Sequence, residues 1–471
     1  MRARLRRFLA SPKLAIGLMA YLGVIAFLGS LVPQGPLGSA KVAEWVATHG
    51  AAEGVARVVG LHSAYTAWYF LIGVLLLCAS TALCAFDRTR VAFSRFALLR
   101  AAQSGASANT TLSCDYSVRL PEGLSRPDGA AAVRNALGRL GIRAPDRDGR
   151  LVAASWPYAT LCSALFHWAL LVLFCALLVG SLVRSEGLIG VPVGEQRPDA
   201  PDSYGFLIAG PLHNWAGAKR TIGVEQLRLV YVIDGLDRGP TPLVSVSDPK
   251  GTQVARQFVY PNAPIRLGSL VVHPSGYGLS VSVALIGADG SERGRTTQVV
   301  DFAAKEHGVA GPADLVLTGG SPSDSIDVRV TVPLDVRDGL ASHTVPARPR
   351  ATFAYGAGTA ETSAPLRPGA QLSLPDGSKL RLLKVGYYAR LSVVDDPTVP
   401  FIYIALFAGL LGVSVALLAR QRLIVVTVER DDEGQRLDVF ARIWRNAGTS
   451  SAEIKQAIEG SLRPKDEERG A

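Results

Sequence analysis

Cysteine is scarce in this chain, five among 471 residues, and none stands in a CxxC or CxxCH arrangement. That absence excludes a thioredoxin-like dithiol motif and a covalently attached c-type haem. A Walker loop, a dinucleotide fingerprint, a zinc-ligand spacing and an ordered Ser-His-Asp set are missing as well. The sequence therefore nominates no catalytic residue of the soluble-enzyme kind. Charge is also thin, 19% of residues against 48% hydrophobic. Neither a disordered nor a collagen-like chain carries that balance. Length alone points to about three folding units, and the composition points to a few membrane spans joined to a sizeable water-exposed domain.

The net charge of +10 is unevenly placed. Residues 1–13 carry five basic side chains and no acidic one, and residues 87–157 carry eleven basic and six acidic. Residues 33–66, 184–398 and 420–471 are each balanced. A nucleic-acid binder concentrates its excess on a folded polar domain. Here the largest polar segment is neutral, so nucleic acid is not an expected partner. The excess instead flanks apolar runs, the pattern of cytoplasmic loops in membrane proteins.

Four apolar, charge-free runs are long enough to cross a bilayer as helices: 14–32, 67–86, 158–183 and 399–419. The first is longer than a signal-peptide core of ~7–15 residues and is followed by three more, so it reads as an uncleaved helix. The basic segments then fix an orientation in the plasma membrane. Segment 1–13 is a cytoplasmic N-terminus, 33–66 an outer loop, 87–157 a cytoplasmic insert, 184–398 an extracytoplasmic domain and 420–471 a cytoplasmic tail. Trp68 and Tyr69, and Trp156 and Tyr158, suit the aromatic belts at the ends of the second and third spans.

The segment 184–398 is too long for a loop and must fold. Residues 324–334 alternate, with Ile326, Val328, Val330 and Val332 on one face. Asp376-Gly377 within 371–385, and Asp289-Gly290 after 279–286, mark hairpins. The expected fold class is therefore a membrane protein of four transmembrane α-helices with a large extracytoplasmic all-β, sandwich-like domain. The insert reads as a small module at most, with one amphipathic helix over 128–141 and a strand near Leu151-Val152. A short helix over 450–462 has Ser450 or Ser451 as its cap.

Histidine is the polar residue to weigh. His167 stands alone inside the third run, about ten residues from its start and so ~15 Å deep at 1.5 Å per residue. An ionisable group at such depth is costly and faces a bundle interior, a cavity or a ligand. Either a neutral imidazole bonded to a neighbouring helix or an axial ligand of haem iron satisfies that requirement. His62 lies five residues before the second run, with Tyr65, Trp68 and Tyr69 as aromatic surface for a flat ring. An interfacial histidine near headgroups is the plainer reading. The two histidines should differ in depth by roughly 15–20 Å, too far to clamp one iron from both faces. His273, beside Pro274, Ser275 and Gly276, reads as a strand-end histidine. His213, His307 and His343 fall in loops. Of the cysteines, Cys78, Cys84, Cys162 and Cys175 lie in or beside the runs and read as small buried hydrophobes, while Cys114 lies in the insert.

In this order of helices, insert and β domain, the chain resembles the ResB/CcsB family of the system II cytochrome c maturation machinery. Gly29-Ser30-Leu31-Val32-Pro33-Gln34 is similar to the family's ending of its first helix, and residues 65–77 to the start of its second. Residues 166–182, with His167, resemble its third helix. In 260–278, Asn262, Pro264, Gly268, Tyr277 and Gly278 match a stretch of the outer domain, and Asp396-Pro397-Thr398-Val399-Pro400 resembles the opening of the last helix. Two positions depart: the family's second-helix histidine aligns with Thr66, four residues after His62, and its Tyr-Gln pair is replaced by His273-Pro274. If the helix extends outward by a turn, positions 62 and 66 share a face.

The resemblance implies cytochrome c-type biogenesis, in which haem b is handled transiently as substrate and exported or presented for covalent attachment to CxxCH apocytochrome c. His167 and His62 would contact the haem iron. Partners would be a ResC/CcsA-type membrane protein, the apocytochrome and a thioredoxin-like thiol reductant, with this chain a non-catalytic or co-catalytic subunit of the synthase. A haem-free scaffold, or an envelope-assembly or sensor subunit with a β docking domain, is the competing expectation.

Overall fold

The computed structural model describes residues 2–34, 40–104, 115–121, 124–147, 149–215, 220–302, 308–318, 325–355, 361–374, 376–431, 434–443 and 449–462. Cys114, His307 and the first residue of the alternating 324–334 segment lie outside the described residues. In chain order the helices are α1 (Arg2–Leu9), α2 (Pro12–Ser30), α3 (Ala40–Thr48), α4 (Gly50–Val59), α5 (Trp68–Gln103), α6 (Arg126–Arg139), α7 (Ala159–Val183), α8 (Val399–Leu418) and α9 (Ser451–Ser461). Among them α2, α5, α7 and α8 are long and apolar enough to cross a membrane. Each presents large apolar side chains to its surroundings, among them Ile16, Phe27, Leu75, Leu177, Phe407 and Leu410, which points to association with a membrane.

The chain divides into two compact units, one of residues 1–25, 68–178 and 400–471, the other of residues 26–67 and 179–399. In the first unit α5 runs for 36 residues, well past the span expected to end at Phe86. No proline interrupts this sequence, and its only glycine is Gly73, so nothing stops the helix where the apolar run ends. Its last turns place Leu99 and Ala102 against a five-stranded sheet.

That sheet revises the expectation of an insert that is a small module on its own. Its order is Tyr116–Arg119, Gly434–Ile443, Arg422–Asp431, Arg150–Ser155 and Asp146–Arg147, so insert and tail strands are interleaved. Val118 pairs with Leu437, and Val152 with Val425. Alternation decides the two faces. Val152 and Val425 meet α5, whereas Leu151, Ala153, Ile424 and Val426 meet Val133 and Leu137 of α6 and Ile454 and Ile458 of α9. Ser125 caps α6, and a reciprocal capping box of Ser450 and Glu453 starts α9. Without its tail the insert would leave the edge of Arg150–Ser155 and the whole of Tyr116–Arg119 unpaired and would lose much of the apolar surface that covers α6.

Close helix contact in this unit uses small residues. A methyl group at Gly412 of α8 would lie 2.9 Å from the Cys162 carbonyl and 3.0 Å from the Phe166 nitrogen of α7.

The second unit is all-β beyond its helical loop. Two 17-residue strands, Leu270–Ile286 and Lys379–Asp395, pair antiparallel with bulges at Pro274/Gly276 and Ser282/Val283. They form the spine of a seven-stranded sheet, and the sheet has two cores rather than one sandwich core. Toward one end Leu270, Val272, Leu391 and Val393 pack with Ile222, Val224, Val244 and Val246 of a four-stranded sheet. Toward the other, Leu279, Val281, Leu380 and Leu382 pack with Val328, Val330, Val332 and Phe353 of a second four-stranded sheet. The alternation read over 326–332 thus buries its valines, and both Asp-Gly hairpins form. Gly377 and Gly290 take φ of +83° and +82° at the turns joining Gln371–Ser373 to Lys379–Asp395 and Leu270–Ile286 to Glu292–Val300. Ser185–Pro192 pairs with the spine and Tyr204–Ala209 closes that side of the sheet.

Candidate functional site

The residues that mark the end of α2 in the sequence build a turn. Gln34 Nε2 donates to the carbonyls of Gly29 at 2.7 Å, Val32 at 3.0 Å and Leu61 at 2.7 Å, and its Oε1 accepts from the Ala64 amide at 3.3 Å. A methyl group at Gly29 would stand 2.9 Å from the Ala64 Cβ, so only glycine lets the chain segments approach this closely. Asp396 likewise serves as a cap: its Oδ1 accepts from the Thr398 amide at 2.8 Å and hydroxyl at 2.6 Å, with Pro400 in the first turn of α8.

His62 sits on the turn that Gln34 holds, in the 3-10 segment Leu61–Ser63. The helix does not extend outward to reach it, since α5 begins at Trp68. The ring is 5% exposed and both nitrogens are engaged: Nδ1 with the Pro33 carbonyl at 2.8 Å and Nε2 with Glu53 Oε2 at 2.9 Å. Two acceptors on one ring favour the doubly protonated imidazolium. Burial opposes that charge, but the bonds to Glu53 and Pro33 outweigh it and lift His62 above its ordinary value. The bond from His62, helped by Arg57 at 3.0 Å, holds the Glu53 carboxyl below its ordinary range despite burial. The ring packed against His62 is Trp45, edge-on at 5.5 Å, whereas Tyr65 donates to the Ala26 carbonyl and Trp68 meets Tyr69.

His62 and Thr66 share a wall of a cleft of about 700 Å³, together with Gln34 and Arg57. Its opposite side is formed by Leu207, Ile208 and Ala209. A second cavity of about 760 Å³ also touches Gln34 and reaches Tyr204, Gly205 and Phe206. There Asp301 accepts from both Arg390 and the buried Tyr388 hydroxyl. Burial and the Asp301 contact push Tyr388 above its ordinary value.

His167 belongs to the other unit and has a different environment. Its Nδ1–H donates to the Ser163 carbonyl one turn earlier at 2.7 Å, which leaves Nε2 as the nitrogen with a free lone pair. Among the described residues Nε2 has no hydrogen-bond partner. The ring is half-buried, with Phe166 edge-on at 5.4 Å. Nearby, Trp168 donates to the Thr89 hydroxyl at 2.9 Å, joining α7 to α5.

The remaining candidates are placed as follows. His273 is the fourth residue of the Leu270–Ile286 strand, not a strand end, and pairs with Ser392 beside the bulge. His213 bonds the Val183 carbonyl and meets Trp215 edge-on, and His343 lies in a two-residue strand stacked on Phe302. Cys78 is buried, Cys84 and Cys162 are half-buried, and Cys175 is exposed, all as free thiols. Among the described residues no group of three or more His, Cys, Asp or Glu side chains could hold a metal ion. Glu53 and Trp45 escaped the sequence reading. Glu53 has a visible i, i+4 partner in Arg57, but nothing in the spacing joins either residue to His62.

Residues 13–354, well over half of the chain, match the model of the ResB-like family. No curated protein matches the chain. The chain belongs to the ResB-like family, which is associated with cytochrome c biogenesis.

Proposed function

We propose that this ResB-like protein handles haem as cargo in the membrane and presents it, with a ResC/CcsA-type partner, for covalent attachment to CxxCH apocytochrome c. The observation that carries this reading is His167. Its Nδ1–H is oriented by the Ser163 carbonyl, which fixes the ring and its tautomer as a partner group does for a metal-binding histidine. Its Nε2 has no hydrogen-bond partner among the described residues, on a helix long and apolar enough to cross a membrane, where an unpartnered polar atom is costly unless a ligand meets it. His167 Nε2 would hold the haem iron there, with any further ligand supplied by another chain. The basic segments 1–13 and 87–157 support a cytoplasmic position for these stretches and for the insert–tail sheet. The β unit then lies on the outer face. No side chain here supplies the thiols that form thioether bonds. Those belong to the apocytochrome, kept reduced by a thioredoxin-like protein, and this chain positions the reactants.

A second reading, a haem-free scaffold, draws support from His62. Its two nitrogens are bonded within the protein, so it ties the outer turn together as it stands. Iron ligation by His62 requires Nε2 to leave Glu53.

The test is the visible spectrum of the purified protein, with and without the partner, for wild type, His167→Ala and His62→Ala. A Soret band that depends on His167 supports haem handling. Partner binding without haem in every preparation overturns it in favour of the scaffold.

A further inference from the structure

Strand Tyr204–Ala209 ends its sheet. It pairs on one side with Ser185–Pro192, and among the described residues no strand pairs with its other side. Natural edge strands are blunted by charge, proline or cover, because unpaired amides and carbonyls template pairing with another chain. This one reads Tyr-Gly-Phe-Leu-Ile-Ala, with no charged residue and no proline.

The two clefts meet this strand in an informative way. Tyr204, Gly205 and Phe206 line one, and Leu207, Ile208 and Ala209 line the other. A cavity lying over the face of a sheet touches alternate residues, as the first does at Leu188 and Gly190 and at Tyr388 and Arg390. The first cleft thus runs from a face of the sheet round to its edge at Tyr204, Gly205 and Phe206, and the second takes up the next three residues in succession. The clefts share Gln34, so together they follow the strand for about 20 Å at 3.4 Å per residue. The strand is held in place, since the Tyr204 hydroxyl donates to the buried Asp199 at 2.5 Å. Its register bulge at Leu188/Ile189 lies toward the Tyr204 end, leaving Phe206 to Ala209 paired regularly.

We infer that this edge receives an extended peptide as an additional strand, and that the peptide is the haem-accepting segment of the apocytochrome client. The occupant follows from the chemistry of the wall. A row of backbone donors and acceptors is matched by another backbone, and slots on both sides of the strand direction accept alternate side chains. The far wall of the second cleft is the turn that carries His62 and Thr66, so a bound segment lies beside the outer histidine. Naming the client rests on the proposed function; addition of a peptide strand to this edge does not.

The experiment uses the full chain in lipid nanodiscs and a fluorescent synthetic peptide carrying a Cys-x-x-Cys-His segment with five flanking residues on each side, both cysteines replaced by serine. Saturable binding is expected by anisotropy, with slower amide exchange over 204–209. Two peptides methylated on alternate backbone nitrogens discriminate. One set should weaken binding about tenfold or more by removing ladder donors, while the other binds as the parent does. Equal binding of both sets, no saturable binding, or protection elsewhere overturns the inference. So does protection over 204–209 without peptide in a dimer, which would give the edge to a second copy. The assay contains no haem. If binding fails while the Soret band still depends on His167, this inference alone falls. If binding holds while that band does not depend on His167, the haem reading falls instead.

Discussion

The two candidate histidines sit in opposite chemical situations. His167 has one nitrogen committed to its own helix and one lone pair left over. His62 has both nitrogens committed, one to a carbonyl and one to a carboxylate. The first arrangement leaves one oriented nitrogen open, and the second closes both nitrogens within the protein. Scarcity alone made both residues conspicuous in the sequence, yet what each can do is set by its partners.

Substituting the two histidines in parallel tests that contrast most severely. His167→Ala should abolish the Soret band of the complex with partner, a larger effect than the roughly 10–100-fold that loss of an outer-shell group costs a metal site. His62→Ala should leave most of the band and loosen the outer turn. Equal loss in both would erase the distinction.

The turn at residues 61–66 should also depend on Gln34 more than on its histidine. Gln34→Ala removes two N–H donors shared among three carbonyls, and one accepted bond, about 3 kcal/mol at ~1 kcal/mol for each of two donors and one acceptor. Amides over 61–66 should then exchange about a hundredfold faster, with His167-dependent haem binding unaffected.

Next in size is the helix contact beside His167. Gly412→Ala inserts a methyl group 2.9 Å from the Cys162 carbonyl. Moving α8 off α7 should cost about 1–3 kcal/mol, read as a fall of several degrees in the thermal midpoint. An unchanged midpoint would show that α7 and α8 tolerate a wider separation.

The smallest effect is the pH response of the Glu53–His62 pair. His62 is raised above 6.5, so its contribution is complete below pH 6.5 and is lost as pH climbs through the elevated value. Glu53 is lowered below 4.5, so its contribution is complete above pH 4.5 and is lost as pH falls through the depressed value. The turn that carries His62 should be best protected from exchange between pH 4.5 and 6.5. Glu53→Ala should flatten that profile and lower the His62 titration seen by NMR. It should also release Nε2, making His62 a ligand of the His167 kind. A His62 titration unchanged in this variant would show that Glu53 does not hold it.

Much of the fold was legible because it rests on local pattern. The four apolar runs gave helices near their expected limits, apart from the overrun of α5. The Asp-Gly turns and the valine alternation gave hairpins and a buried face. The motif at Gly29 to Gln34 was visible only as a marker of resemblance, because its work is done on residues 61 and 64. The single sandwich expected for 184–398 became two cores on one long sheet, since a 17-residue strand has no local signal telling it to change partners midway.

Composition, charge placement and apolar period by themselves determined how many helices could cross a membrane, which segments are basic and where the β strands turn. These are properties of neighbours a few residues apart. Tertiary structure alone decided that the insert and the tail share one sheet, that Glu53 closes on His62, and that among the described residues His167 Nε2 has no partner and the uncharged strand Tyr204–Ala209 is paired on one side only, beside two clefts. The shared sheet and the strand edge depend on groups far apart in the chain meeting within hydrogen-bond or van der Waals distance, and the Glu53–His62 bond on a turn that no helix or strand period encodes.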